Sequence, residues 1–157
     1  MKMRRRLKTI NLLAVVVLLV SAAVGSYILL TDSYLWSAAP THAEGLIVFV
    51  VLDLALTGGL WWRPKLAVIG MTLLGLVQFG AMGADLFIGS SVGTSSVGSQ
   101  SGFQHYLLGD TAFKTLLGVQ VLIVIVGIAA FVMMRRDQGK AAMEPLRAPA
   151  RPSATQA

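Results

Sequence analysis

The stretch 42-HAEGLIVFVVLDLALTGGLWWRP-64 decides how the chain reads, because it is an apolar run of membrane-spanning length with a single carboxylate, Asp53, near its centre. About twenty apolar residues cross the roughly 30 Å hydrocarbon layer as a helix. Asp53 then falls near mid-bilayer, where an ionised aspartate costs on the order of 3 kcal/mol. It must face protein or water, or be protonated.

Three further apolar runs surround this one. A basic head, Met1 to Lys8, precedes a run from Ile10 to Leu30 that contains no charge. Ser21-Ala22-Ala23 has the small residues of a signal-peptide cleavage site, but hydrophobicity continues past it to Leu30, too far for the core of a signal peptide. The arginines at 4–6 do not make a twin-arginine export signal persuasive, because several apolar segments follow them. Thr31 to Thr41 carries Asp32, Tyr34, Trp36 and Pro40 and reads as a short interfacial loop. After the Asp53 run, Trp61-Trp62 suits headgroup level, Arg63 and Lys65 suit the cytoplasmic side, and Pro64 interrupts simple helical continuation. Residues 66–88 form the third run, with Gln78 near its centre and Asp85 about one turn from its end. Residues 89–104 are Gly/Ser-rich and uncharged and read as a flexible loop; the repeated SSVG is low complexity, and no Gly-Lys-Ser/Thr follows to make a phosphate loop. The last run begins near His105 or Tyr106. Asp110 and Lys114, spaced i, i+4, are placed to pair there, and Arg135-Arg136 ends the run. Residues 137–157 are polar, contain three prolines and read as a disordered basic tail.

Composition agrees with lipid as the solvent: 55% of the 157 residues are hydrophobic and only 13% charged, about half the charged share of a soluble domain. The formal net charge of +6 comes from cations at the ends of apolar runs, not from cations interleaved with aromatics, so nucleic acid is not the implied partner. Without cysteine there is no disulfide, thiolate nucleophile, iron–sulfur cluster or Cys-bound zinc. If the N-terminus is cytoplasmic, every Lys and Arg except Lys114 falls on the cytoplasmic side. The expected fold is therefore all-α: a polytopic membrane protein with an antiparallel four-helix transmembrane bundle over residues 1–136, helices at about 10–30, 43–62, 66–88 and 106–134, and both termini in the cytoplasm.

Several glycines (Gly58, Gly59, Gly70, Gly75, Gly80, Gly83, Gly118 and Gly127) offer surfaces for close helix approach. At about 100° per residue, His42 and Asp53 share one face of their helix, and Gln78 and Asp85 share one face of theirs. Asp53 and Gln78 also lie at similar depth, so the Gln78 amide is placed to donate to the carboxyl.

Four readings follow from these polar residues. Asp53, Gln78 and Asp85 form an intramembrane path for a proton or cation, or Asp53 only fixes helix packing or binds a partner subunit. His42, Glu44, His105, Asp85 and Asp110 form an outer-side metal cluster, although their spacing matches no known ligand motif. His42 and His105, the only histidines, could hold a haem, but both sit at the membrane edge. No cofactor is required by the sequence, and the lack of a nucleophile constellation argues against independent catalysis. The expected role is an accessory or structural subunit of a larger cell-membrane complex, respiratory or oxidative, with other integral-membrane subunits as partners. The alternative is a homo-oligomeric proton- or cation-coupled transporter or channel using Asp53.

Overall fold

The structure, a computed structural model, describes residues 2–87 and 106–147, with side chains over 9–86 and 106–136. Within them the chain is all-helical, with no strand: α1 (Lys2–Thr31), α2 (Ser33–Ala38), α3 (Pro40–Trp62), α4 (Pro64–Phe87) and α5 (Thr111–Arg147), the last preceded by a helical turn at 106–109. Four segments are long and apolar enough to cross a membrane: Thr9–Thr31, Pro40–Trp62, Pro64–Leu86 and Thr111–Arg136. The shortest of these has 23 residues, about 35 Å of helix, enough for the hydrocarbon layer with a modest tilt.

Prolines set two boundaries. Ala39 and Arg63 each precede a proline and adopt non-helical backbone, with φ near −144° and −138°, because the proline ring disfavours helical geometry in the residue before it. Pro40 and Pro64 then occupy first-turn positions, where a missing N–H breaks no helical bond. Arg63 alone joins α3 to α4, and its N–H closes α3 on the Gly59 carbonyl at 2.7 Å.

The segment Thr31 to Thr41 is not the simple loop its polar residues suggest. Asp32 Oδ1 accepts the Leu35 N–H at 2.9 Å and starts α2, while Trp36 Nε1 donates to the Leu29 carbonyl at 2.9 Å and satisfies the end of α1. Leu35, Ala38 and Ala39 are buried. At the other end, Arg135-Arg136 ends the apolar run but not the helix, whose backbone continues to Arg147 where a disordered tail was expected. Charged side chains are excluded from hydrocarbon but are good helix formers in water, so membrane exit and helix termination need not coincide. The loop at 89–104 and residues 148–157 lie outside the described residues.

The four long helices form a closed ring of contacts, α1 against α3 and α5, and α4 against α3 and α5, with α2 lying on α1 and α3. Two apolar clusters fill the ring. One unites Ala14, Val17, Leu18, Leu60, Ala67, Val68, Met71, Ile123 and Val126 at the Arg63 end; the other unites Ile28, Leu35, Ala43, Met82, Leu107 and Leu116 at the α2 end. Glycines permit the closest approaches. A Cβ on Gly75 would lie 2.8 Å from Ile123, one on Gly70 2.8 Å from Leu56, and one on Gly127 would collide with the Thr72 side chain. Gly25, in α1, plays the same part against Val50. Gly58, Gly80, Gly83 and Gly118 face open space, so only some of the glycines expected to mediate packing do so.

Candidate functional site

Between the two clusters each long helix contributes one polar side chain: Ser21 from α1, Asp53 from α3, Gln78 from α4 and Gln120 from α5. All four are at most 2% exposed. With Gln120 oriented Nε2 toward Ser21, that amide donates to Ser21 Oγ at 3.0 Å, and the serine hydroxyl donates onward to Asp53 Oδ2 at 2.5 Å. The Gln78 amide faces the same carboxyl, yet neither its Nε2 nor its Oε1 makes a hydrogen bond. Gln78 thus stands beside Asp53 as expected, and Ser21 supplies the carboxyl with its closest donor. Serine carries its donor close to its own backbone and reaches Asp53 because the α1 and α3 backbones approach closely, with Gly25 packed on Val50 one turn away.

This network is incompletely satisfied. Asp53 Oδ1, Gln78 Oε1, Gln78 Nε2 and Gln120 Oε1 are buried without a hydrogen-bond partner. Buried polar atoms are almost always paired, and each one left unpaired costs about 1–3 kcal/mol. Such a cluster can take hydrogen bonds from a bound molecule.

There is room for one. A cavity of about 560 Å³ runs from Ser21, Asp53, Gln78 and Gln120 to the α2 end, where Thr41, His42, Asp85 and Tyr106 border it. Between these polar ends the wall is apolar, built by Leu46, Phe49, Val50, Met82, Phe113 and Leu116. The eleven residues from Asp53 to His42 correspond to roughly 16 Å of helix, which sets the depth. At the mouth, His42 Nε2 lies 3.2 Å from Asp85 Oδ2, joining the starts of the two polar stripes. His42 with Asp53 and Gln78 with Asp85 therefore line one space, as the helical spacing predicts.

The proposed metal cluster is not assembled to the same extent. His42 and Asp85 meet, but Glu44 is exposed, Asp110 Oδ1 accepts the Ala112 N–H at 2.8 Å at the start of α5, and His105 lies outside the described residues. Among the described residues no group of three His, Asp or Glu side chains is placed to hold a metal ion. The expected Asp110–Lys114 pair is absent because Asp110 serves instead as a helix cap, linked to Lys114 only through the backbone bond from the Lys114 N–H to the Asp110 carbonyl at 3.2 Å.

Sequence reasoning missed Ser21 as a functional residue and Gln120 altogether. The signal was present: each apolar run carries an isolated polar residue near its midpoint, and Ser21 and Gln120 complete the set begun by Asp53 and Gln78. Comparison with protein-family models, with curated proteins and with solved structures finds no match for this chain.

Proposed function

We propose that this multi-pass membrane protein captures a small cationic solute or proton from the outer side of the cell membrane and holds it at Asp53, as a binding or transport protein. Its four spans form an antiparallel bundle with both termini cytoplasmic. The two apolar clusters support this arrangement: one draws on the first half of α1, the end of α3, the start of α4 and the later part of α5, and the other on the opposite portions. The charge distribution supports the orientation, with Lys114 alone among the cations at the α2 end.

The observation that carries the functional reading is the convergence of four mid-membrane polar side chains, with unpaired buried atoms, on the inner end of a cavity whose mouth is His42–Asp85. Ionisable residues inside a membrane are expensive and are functional candidates by default. Apolar side chains such as Leu18, Val68, Met71 and Ile123 fill the other half of the ring, which favours a one-sided binding site over an open channel. The exposed apolar outer faces are what lipid alone requires, so they lend the accessory-subunit reading no separate support.

Because the chain contains no cysteine, single cysteines test the site directly. A Cβ on Gly45 meets nothing within 4 Å and Gly45 lines the cavity, so Gly45→Cys fits without displacement; Val50→Cys lies deeper and Val68→Cys in the apolar half. A membrane-impermeant cationic thiosulfonate added from outside is expected to label the first two and spare the third. Failure of both cavity positions to react from outside overturns the proposal.

A further inference from the structure

Resting on that reading, we infer that the ligand is an amphiphilic amine: a protonated amino group held at Asp53, Gln78 and Gln120, with an apolar body occupying the rest of the cavity. The first argument is a donor–acceptor balance. Three of the unpaired buried atoms, Asp53 Oδ1, Gln78 Oε1 and Gln120 Oε1, are acceptors, and only Gln78 Nε2 is a donor. The amide hydrogens that remain, two on Gln78 Nε2 and one on Gln120 Nε2, carry no charge to set against the Asp53 carboxylate. Acceptor atoms therefore predominate at the inner end, and an ammonium group brings three donors and a positive charge opposite a carboxylate. A carboxylate or phosphate ligand would bring only more acceptors and a like charge.

The second argument is the shape and lining of the remaining space. About 560 Å³ is a volume typical of a small-molecule pocket and far larger than a bare ion needs. Leu46, Phe49, Val50, Met82, Phe113 and Leu116 offer no oxygen ligands along the approach, so an inorganic cation would lose hydration there with little in return. A molecule whose apolar part fills that section has no such cost. The mouth agrees with this choice, because Asp85 places a second carboxylate beside His42 where an incoming amine passes.

The test uses the full chain in nanodiscs, with empty nanodiscs measuring partition into lipid, and three probes matched in body: 4-phenylbutylamine, 4-phenylbutanol and 5-phenylvalerate. Equilibrium dialysis is expected to give saturable amine binding at one per chain, at least tenfold tighter than the alcohol, and no saturable carboxylate binding. Asp53→Asn is expected to reduce the preference for amine over alcohol to less than threefold. Because the three-probe comparison on the unaltered chain does not depend on any variant, misfolding of Asp53→Asn cannot obscure the result. Equal binding of alcohol and amine, saturable carboxylate binding, or amine uptake no greater than in empty nanodiscs overturns the assignment. If the amine fails while Gly45→Cys and Val50→Cys still react from outside, only the ligand class falls; if those cysteines are also silent, the outward cavity falls with it.

Discussion

Ser21 occupies the position on which the mid-membrane network depends, because its single hydroxyl both accepts from Gln120 Nε2 and donates to Asp53 Oδ2. Removing it in Ser21→Ala strands one buried donor and one buried acceptor. Intramembrane hydrogen bonds contribute less than the cost of stranded groups suggests, so the expected loss is about 1–2 kcal/mol in unfolding from detergent micelles, with Ser21→Thr closer to the parent because it keeps the hydroxyl. Equal stability of the alanine and parent proteins would remove Ser21 from the network. The role was hard to read from the sequence because an intrahelical serine usually has a partner in its own helix, four residues back. Thr57, Thr72 and Thr115 behave in that way, each hydroxyl donating to the carbonyl four residues earlier at 2.8 Å. Nothing local distinguishes Ser21 from them.

At the scale of elements, α4 and α5 are held together by contacts that only small residues allow. A methyl group on Gly127 would collide with Thr72, whose hydroxyl is committed to the Val68 carbonyl at 2.8 Å and cannot swing away without breaking that bond. Gly127→Ala is therefore expected to destabilise the protein by about 1–3 kcal/mol in the same unfolding measurement, whereas Gly118→Ala, where a Cβ meets nothing within 4 Å, should be neutral or slightly stabilising through helix propensity. A Gly127→Ala protein as stable as the Gly118→Ala protein would contradict the packing. Both glycines were visible in the sequence as small surfaces in an apolar helix, but which one faces a neighbour depends on helix rotation. The segment at Ser33–Ala38 shows the same limit from another direction. Its tyrosine, tryptophan and flanking aspartate suit a membrane interface, and Trp36 is 43% exposed, yet Leu35 and Ala38 are buried because Asp32 caps a helix that the loop reading left out.

For the molecule as a whole, the proposed orientation rests on the sum of its cations, since translocating Lys and Arg is unfavourable. Reporter fusions at Ser95 and at the C-terminus are expected to give an external signal and a cytoplasmic signal, respectively. A cytoplasmic signal from Ser95 would invert the molecule and turn the His42–Asp85 mouth inward. The internal asymmetry, with apolar packing at the Arg63 end and a cavity at the α2 end, means that such an inversion would change the side from which a ligand arrives but not the chemistry at Asp53.

The sequence by itself determined that there are four helices long and apolar enough to span a membrane, closely where each apolar run ends, and that one of them carries a carboxylate near its middle, because transfer into lipid is a sum over the residues of a segment and needs no knowledge of its neighbours. Helical spacing also placed His42 with Asp53 and Gln78 with Asp85 on common faces. Only the tertiary structure decided that these faces border one cavity, that Glu44 is exposed while Asp110 caps α5, and that Gln120 reaches Ser21 across 99 positions of sequence. Those outcomes depend on how four helices rotate and settle against one another. In lipid that arrangement is selected by close packing and polar contacts between distant residues, not by the hydrophobicity that placed each helix in the membrane.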